Sequence, residues 1–159
     1  MAITTSRMGV FMDTIVDRLR HREALDGVRI TSAFPGTEPI IESIHLEGGE
    51  GQLEWGAIGN LLVNESFTVS GVIYARRLGA DETAYRAARA RVFEMFREIQ
   101  LCMREDAGGV QVTDDEGTAQ VQVGAVSSYS FDQGITDDLH WRAADLEFAF
   151  TCTARLPRL

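Results

Sequence analysis

Apolar residues recur at helical spacing in two stretches of the chain and alternate with polar ones through most of the remainder. In "MGVFMDTIVDRLRHREALDG", Met8, Phe11, Met12, Ile15 and Leu19 form one stripe, which predicts a helix over 8–25. Thr5 or Ser6 can cap its start, and Gly27 suits a left-handed stop. Asp17 precedes His21 by one helical turn and can pair with it on the surface. The second helix starts at Asp81 as cap and runs to about Asp106, before Gly108-Gly109. Tyr85, Ala88, Val92, Met95, Phe96, Ile99 and Met103 make its core face. Arg86, Arg89, Arg97 and Arg104 gather on one flank with Phe93, and Glu94, Glu98 and Glu105 line the flank beside it. Glu82 and Glu94 stand a turn ahead of Arg86 and Arg97, so the arginines are locally balanced. Two readings of this flank remain open: a salt-bridged solvated face, or a subunit contact built on arginine beside an exposed aromatic.

Strands fill the rest. "VRITSA" (28–33) leads to a type II turn at Pro35-Gly36, and "IIESIHLE" (40–47) alternates with both faces partly apolar. "GGEGQLEWGAIGN" (48–60) is glycine-rich and acidic, and reads as a long mobile loop with Trp55 as a contact anchor. The strongest central strand is 66–76, with Phe67, Val69, Ile73 and Ala75 on one face and Gly71 at a bulge or close approach. After the second helix come a short strand, an acidic turn at 114–117 and a strand in which Ala119, Val121, Val123 and Ala125 share a face. "DQGITDD" (132–138) reads as another acidic turn. In the last strand, 146–155, Leu146, Phe148, Phe150, Cys152 and Ala154 face one way. Trp141 and Ala143 fall on the opposite parity, which predicts a bulge near Ala144-Asp145. The fold class is therefore α+β: a mixed, mainly antiparallel sheet with the two long helices packed on one face.

Composition narrows the function. The 159 residues suit one domain, 1–159, able to bury roughly two thirds of its unfolded surface without staples. No window approaches the ~20 apolar residues of a membrane span, and the N-terminus lacks the apolar core of a signal peptide, which points to a cytoplasmic start. Cys102 and Cys152 occupy apolar positions and read as free core thiols. All 15 basic residues are arginine, which a GC-rich coding sequence explains. With 24 acidic residues and a formal charge of −9, the chain is a poor general DNA binder, because such binding needs phosphate neutralisation.

No catalytic signature is present: no G-x-S-x-G, H-E-x-x-H, Walker loop or G-x-G-x-x-G. His21, His45 and His140 lie on three different elements, so neither a metal nor a cofactor is expected. "DDEG" lacks the ligand spacing of a calcium loop, and "NES" (64–66) is a chance sequon.

The order of elements carries a resemblance. "VDRLRHREALDGVRI", "GVIYARRLGADETAYRAARARVFEMFREIQ" and "LEFAFTCTARL" together resemble the tail terminator proteins of long-tailed bacteriophages and gene transfer agents, the group related to minor tail protein U. The resemblance implies a structural virion protein of the head-tail junction, assembled in the host cytoplasm and without enzyme activity. It implies a hexameric ring that caps the tail tube, ends its growth, meets a neck protein and lets DNA pass without specific binding. Within such a ring, Arg76, Arg77 and the flank Arg86, Arg89, Phe93 and Arg97 are expected at a subunit boundary. The acidic segments are expected to supply the channel or tube contacts: Glu47, Glu50, Leu53, Glu54 and Trp55, then Asp114, Asp115 and Glu116, then Asp132, Asp137 and Asp138. Two alternatives stand beside this reading: another head-closure or connector protein, and a small α+β ligand-binding domain or enzyme whose acidity serves solubility.

Overall fold

The computed structural model describes residues 6–33, 36, 40–55, 63–115, 117–136 and 139–156. Its elements are α1 (Met8–Arg20), a 3-10 turn (Glu23–Leu25), β1 (Arg29–Thr31), β2 (Glu42–Glu47), β3 (Gly51–Trp55), β4 (Val63–Leu78), α2 (Glu82–Arg104), β5 (Val110–Asp114), β6 (Gly117–Ile135) and β7 (Trp141–Leu156). Among the described residues the strands form one sheet in the order β1-β2-β4-β7-β6-β5, and β3 also pairs with β4. β1 joins β2 in parallel; the other pairings are antiparallel.

The alternation along β4 and β7 separates two faces. Phe67 lies opposite Cys152, Val69 opposite Phe150 and Gly71 opposite Phe148, so these side chains share one face. Phe11 of α1 meets Phe67 and Phe150 edge-on, at 5.7 and 6.1 Å between ring centres. Phe96 of α2 lies 5.9 Å from Phe148. Each buried aromatic or aliphatic side chain contributes about 2 kcal/mol, whereas helix-surface pairs contribute a few tenths. Contact with this face, not local propensity, therefore decides where the helices sit. The opposite face carries Thr68, Ser70, Val72, Tyr74, Asp145, Glu147, Thr151 and Thr153, half-buried or exposed.

Three expectations need correction. The segment 48–60 is not one long loop: β3 continues the line of β2 along β4, and only Gly48, Gly49 and Glu50 fall between them. The register with β4 shifts by one residue across this gap, from Glu47 opposite Ser70 to Gly51 opposite Phe67. Thr68 N–H donates to the Glu50 carbonyl at 2.8 Å, and a Cβ on Gly49 would stand 1.5 Å from the Thr68 carbonyl oxygen. Glycine is required there by close approach. Likewise, Asp132 belongs to β6, which extends to Ile135. Finally, β7 pairs with β4 without interruption from Trp141 to Leu156, so no bulge stands at Ala144-Asp145; Trp141 and Ala143 simply occupy the uncovered face. The irregularities lie in β6, between Val123 and Ser128, and they leave Ala125 exposed while Val126 takes the place opposite Phe150.

The ends of α1 also differ from the pattern. It stops at Arg20, and Gly27 takes a left-handed conformation (φ 77°) only after the 3-10 turn. His21 Nδ1 meets the Asp17 carbonyl oxygen at 2.7 Å, while the Asp17 carboxylate faces Arg20. At the start, Met8 N–H donates to Ser6 Oγ at 3.2 Å, but the stronger cap is Glu65 of β4, which accepts from Arg7 N–H at 2.8 Å and from the Ser6 hydroxyl. Thr5 and the Pro35 turn lie outside the described residues.

Gly71 is the tightest point between the two central strands. A Cβ there would lie 2.7 Å from Phe148 Cζ and 2.8 Å from the His45 carbonyl. Gly71→Ala is expected to destabilise the protein by about 1–3 kcal/mol, through displacement of Phe148 and the β2 backbone. Gly134→Ala, with nothing within 4 Å, should stay within about 0.5 kcal/mol. Urea melts of the two variants side by side test this.

Candidate assembly interface

Most arginines hold the fold together. Glu42 of β2 accepts from Arg77 Nη2, at the end of β4, and from Arg91 Nε of α2 at 2.9 Å. Arg91 Nη1 also donates to Glu94 at 2.7 Å and to the Ala24 carbonyl at 3.1 Å. Burial alone would raise the Glu42 carboxyl, but the hydrogen bonds from Arg77 and Arg91 outweigh it and hold the group below its ordinary range. Arg22 donates to Glu98 at 2.7 Å and to Glu105, tying the end of α1 to α2. Arg7 pairs with Asp114, and Arg18 with Asp106 at 2.8 Å. Arg142, buried, donates to the carbonyls of Ala80 at 2.9 Å and Leu139 at 3.3 Å. The Arg76 guanidinium lies over the Trp141 ring, 4.4 Å from the ring centre.

These contacts divide the arginines expected at a subunit boundary. Arg77 is taken up by Glu42 and Arg76 by Trp141, on opposite faces of the sheet. Arg86, Arg89, Phe93 and Arg97 do come together on the exposed flank of α2. Arg86 pairs with Glu82 at 2.6 Å. Glu94 turns to Arg91 rather than Arg97. Among the described residues, Arg89, Arg97 and Arg104 make no ion pair. Phe93 keeps 39% of its surface exposed, with one side packed on Phe131 at 5.2 Å. The balanced-flank reading thus holds at Arg86 and fails further along the helix.

The acidic segments do not gather at one end of the sheet. Glu54 lies opposite Asn64, near the β7 C-terminus, and Asp114 and Asp115 close the β5–β6 hairpin at that same end. Asp132 lies opposite Asp145, toward the other end. Glu50 stands beside β4 at the break between β2 and β3, and Leu53, half-exposed, lies opposite Glu65. Glu116, Asp137, Asp138 and the Trp55 side chain lie outside the described residues. On the uncovered face, register places Glu47, Glu147, Asp145 and Asp132 in a diagonal across β2, β7 and β6. The Asp145 carboxyl is raised by burial first, then by Asp132 and Glu147.

An apolar end went unread in the sequence. Leu78 (69% exposed), Leu139 (68%), Ile135 (52%) and Ile41 (52%) stand at the end opposite Glu54 and Asp115. Leu139 adopts φ 61°, rare for a leucine, and its carbonyl is gripped by Arg142. The available signal was a leucine alone between charged and aromatic residues in "DDLHW". A further feature is the edge of β6: β5 pairs with it only as far as Val121, so among the described residues 122–135 has no strand neighbour on that side.

Burial pushes the thiols up, to about 11 for Cys102 and about 12 for Cys152. Among the described residues no group of three His, Cys, Asp or Glu is placed to hold a metal, and no helix is long and apolar enough to cross a membrane.

No known protein-family model matches the chain. No curated protein matches it. Among solved structures it is similar to a chain of the "Virion of native gene transfer agent (GTA) particle", with 12% identity over 93% of this chain and 95% of that one, at a TM-score of 0.49.

The Glu42 pairing has a signature in pH. A carboxyl held low in the fold contributes fully above its ordinary value of 4.5 and loses that contribution as pH falls through the lower folded value. Glu42→Gln should therefore cost about 2 kcal/mol at pH 7, and the gap to the unsubstituted protein should narrow as pH falls below 4.5. Denaturant melts of both proteins across this range measure it; equal stability at pH 7 contradicts the pairing.

Proposed function

We propose that this chain is a structural protein of a phage-type virion that caps the tail tube as a hexameric ring, ends tail growth and joins the tail to the neck. The observation that carries the reading is the contrast between the two ends of its sheet. One end presents Ile41, Leu78, Ile135 and Leu139; the other presents Glu54 and Asp115. A subunit set between two different axial neighbours needs two different ends, and exposed apolar patches of this kind mark protein contacts. The order of elements, with its likeness to tail terminators, supports the same reading.

Lateral surfaces support assembly as well. A strand edge as long as 122–135 is a template for another chain unless something covers it. Arg86, Arg89, Phe93 and Arg97 stand ready on the helix layer above it. We assign the apolar end to the tube protein and the Glu54–Asp115 end to the channel mouth, where a net charge of −9 lets DNA slide. In this reading the chain holds no cofactor and performs no chemistry. A head-closure protein would share the lateral surfaces; what favours the terminator is the apolar end, suited to a stable seat on a tube.

Electron microscopy of the purified protein is expected to show closed rings that attach to tube ends. Leu78→Asp with Leu139→Asp should leave rings intact and abolish attachment. Rings that cap tubes equally well with both aspartates would overturn the assignment of that end. A protein that neither forms rings nor binds tubes would overturn the function.

A further inference from the structure

We infer that the arginine row of α2 in one copy docks across the uncovered sheet face of a second copy, along the diagonal Glu47–Glu147–Asp132. The inference deepens the ring reading by naming the two surfaces that meet; only closure into a ring depends on that reading.

Charge comes first. Arg89, Arg97 and Arg104 are exposed and have no ion pair among the described residues. On the uncovered face, Glu147 and Asp145 likewise meet no cation among the described residues. Among the described residues Asp132 accepts only from the Gln133 N–H at 2.8 Å, and Glu47 meets His45 at 3.3 Å. Arg76 on this face is turned onto Trp141, and Arg155 lies at the far end beside Glu54 and Asn64. Asp132 and Asp145 face each other directly across β6 and β7, a like-charge pairing that is unfavourable within a single chain. A cation from outside would relieve it.

Spacing agrees. Along α2, Arg89, Arg97 and Arg104 are separated by about 12 Å and about 10 Å. On the sheet, Glu47 lies opposite Ser70, and Glu147 lies opposite Val72 on the far side of β4. Strand spacing and rise then put Glu47 and Glu147 about 12 Å apart, and Glu147 and Asp132 about 8 Å apart. Both rows are close to straight, and the long arginine side chains take up the remaining difference.

Shape agrees as well. Phe93 projects between Arg89 and Arg97, with part of its ring open. Between Glu47 and Glu147 the sheet has a shallow depression of about 340 Å³, floored by Gly71, Val72 and Ala149. Phe93 falls on this depression when the two charge rows are superimposed. The helix lies on one side of the sheet and the acidic diagonal on the other, so the contact is heterologous. Each copy offers a row to one neighbour and receives a row from the other, which generates a ring or an open filament rather than a two-fold dimer.

The test is a charge exchange read by sedimentation velocity and electron microscopy. Arg89→Glu with Arg97→Glu, and separately Glu47→Arg with Glu147→Arg, should each weaken self-association by about tenfold or more. All four positions are exposed, and circular dichroism checks that each variant folds. Mixing the two variants should restore assembly, because the reversed row of one meets the reversed face of the other. Carrying all four changes in one chain should restore it too. Self-association should also fall with added salt. If a reversal unfolds the chain, Arg89→Gln with Arg97→Gln carries the same test. Rings that persist unchanged in both reversed variants, or a mixture that fails to recover, overturn this docking and leave the ring reading intact. An unsubstituted protein that stays monomeric at every concentration overturns both.

Discussion

A carboxylate taken out of water is tolerable only when its charge is met by well-placed donors, and the polar ties between the layers of this protein, which the apolar face brings together, follow from that requirement. Glu42 sits at the start of β2, where it would face the α2 layer alone. Arg77 and Arg91 close on it from β4 and α2, and Arg91 reaches on to the carbonyl of Ala24. One acid thus fixes a strand, its neighbour, a helix and the turn after α1. Glu98 does the same between α2 and Arg22, and Glu65 anchors the beginning of α1. Guanidinium suits these places better than an ammonium would, because one head serves two or three acceptors in fixed directions.

Those internal demands sort the cations. Arginines that satisfy a buried acid or carbonyl lie on the side of α2 toward α1 and β2, or at the strand ends. Of the described arginines without an ion pair, Arg89, Arg97 and Arg104 lie on the flank above β6, and Arg155 stands at the far end of β7. Asp145, Asp132 and Glu147, which meet no cation among the described residues, lie on the opposite side of the sheet. A single molecule cannot bring these two groups together, because the sheet itself stands between them. The charge imbalance left on its surface is the residue of a core that is closely matched inside.

How much of this could be read in the sequence depended on range. Periodicity placed both helices and the strands around Phe67 and Phe148, because their apolar residues all face one packed layer. Gly71 was readable as a close approach, since it interrupts an otherwise bulky strand. Gly49 gave the opposite lesson. The same composition that marks a loop also marks a backbone crossing within touching distance of Thr68, and only pairing with β4 tells the two apart. The ion pairs were out of reach, because Arg22 finds Glu98 and Arg77 finds Glu42 across the fold rather than along a helix. Local charge patterning suggested Glu94 for Arg97, but Glu94 pairs back with Arg91, three residues earlier on the same helix. The exposed apolar end was missed for a similar reason: Ile41, Leu78, Ile135 and Leu139 come from separate segments, and none forms a pattern by itself.

The one-residue slip between β2 and β3 has a consequence for how such a protein can change over time. In an unbroken hairpin, inserting a residue into one arm would invert every side chain beyond it, sending core residues to solvent. Here the break at Gly48–Glu50 already accommodates a change of register, so β3 is insulated from the Ile44 and Leu46 positions that fill the core. A residue added to β3 would therefore turn over only that short strand, leaving Ile44 and Leu46 in the core.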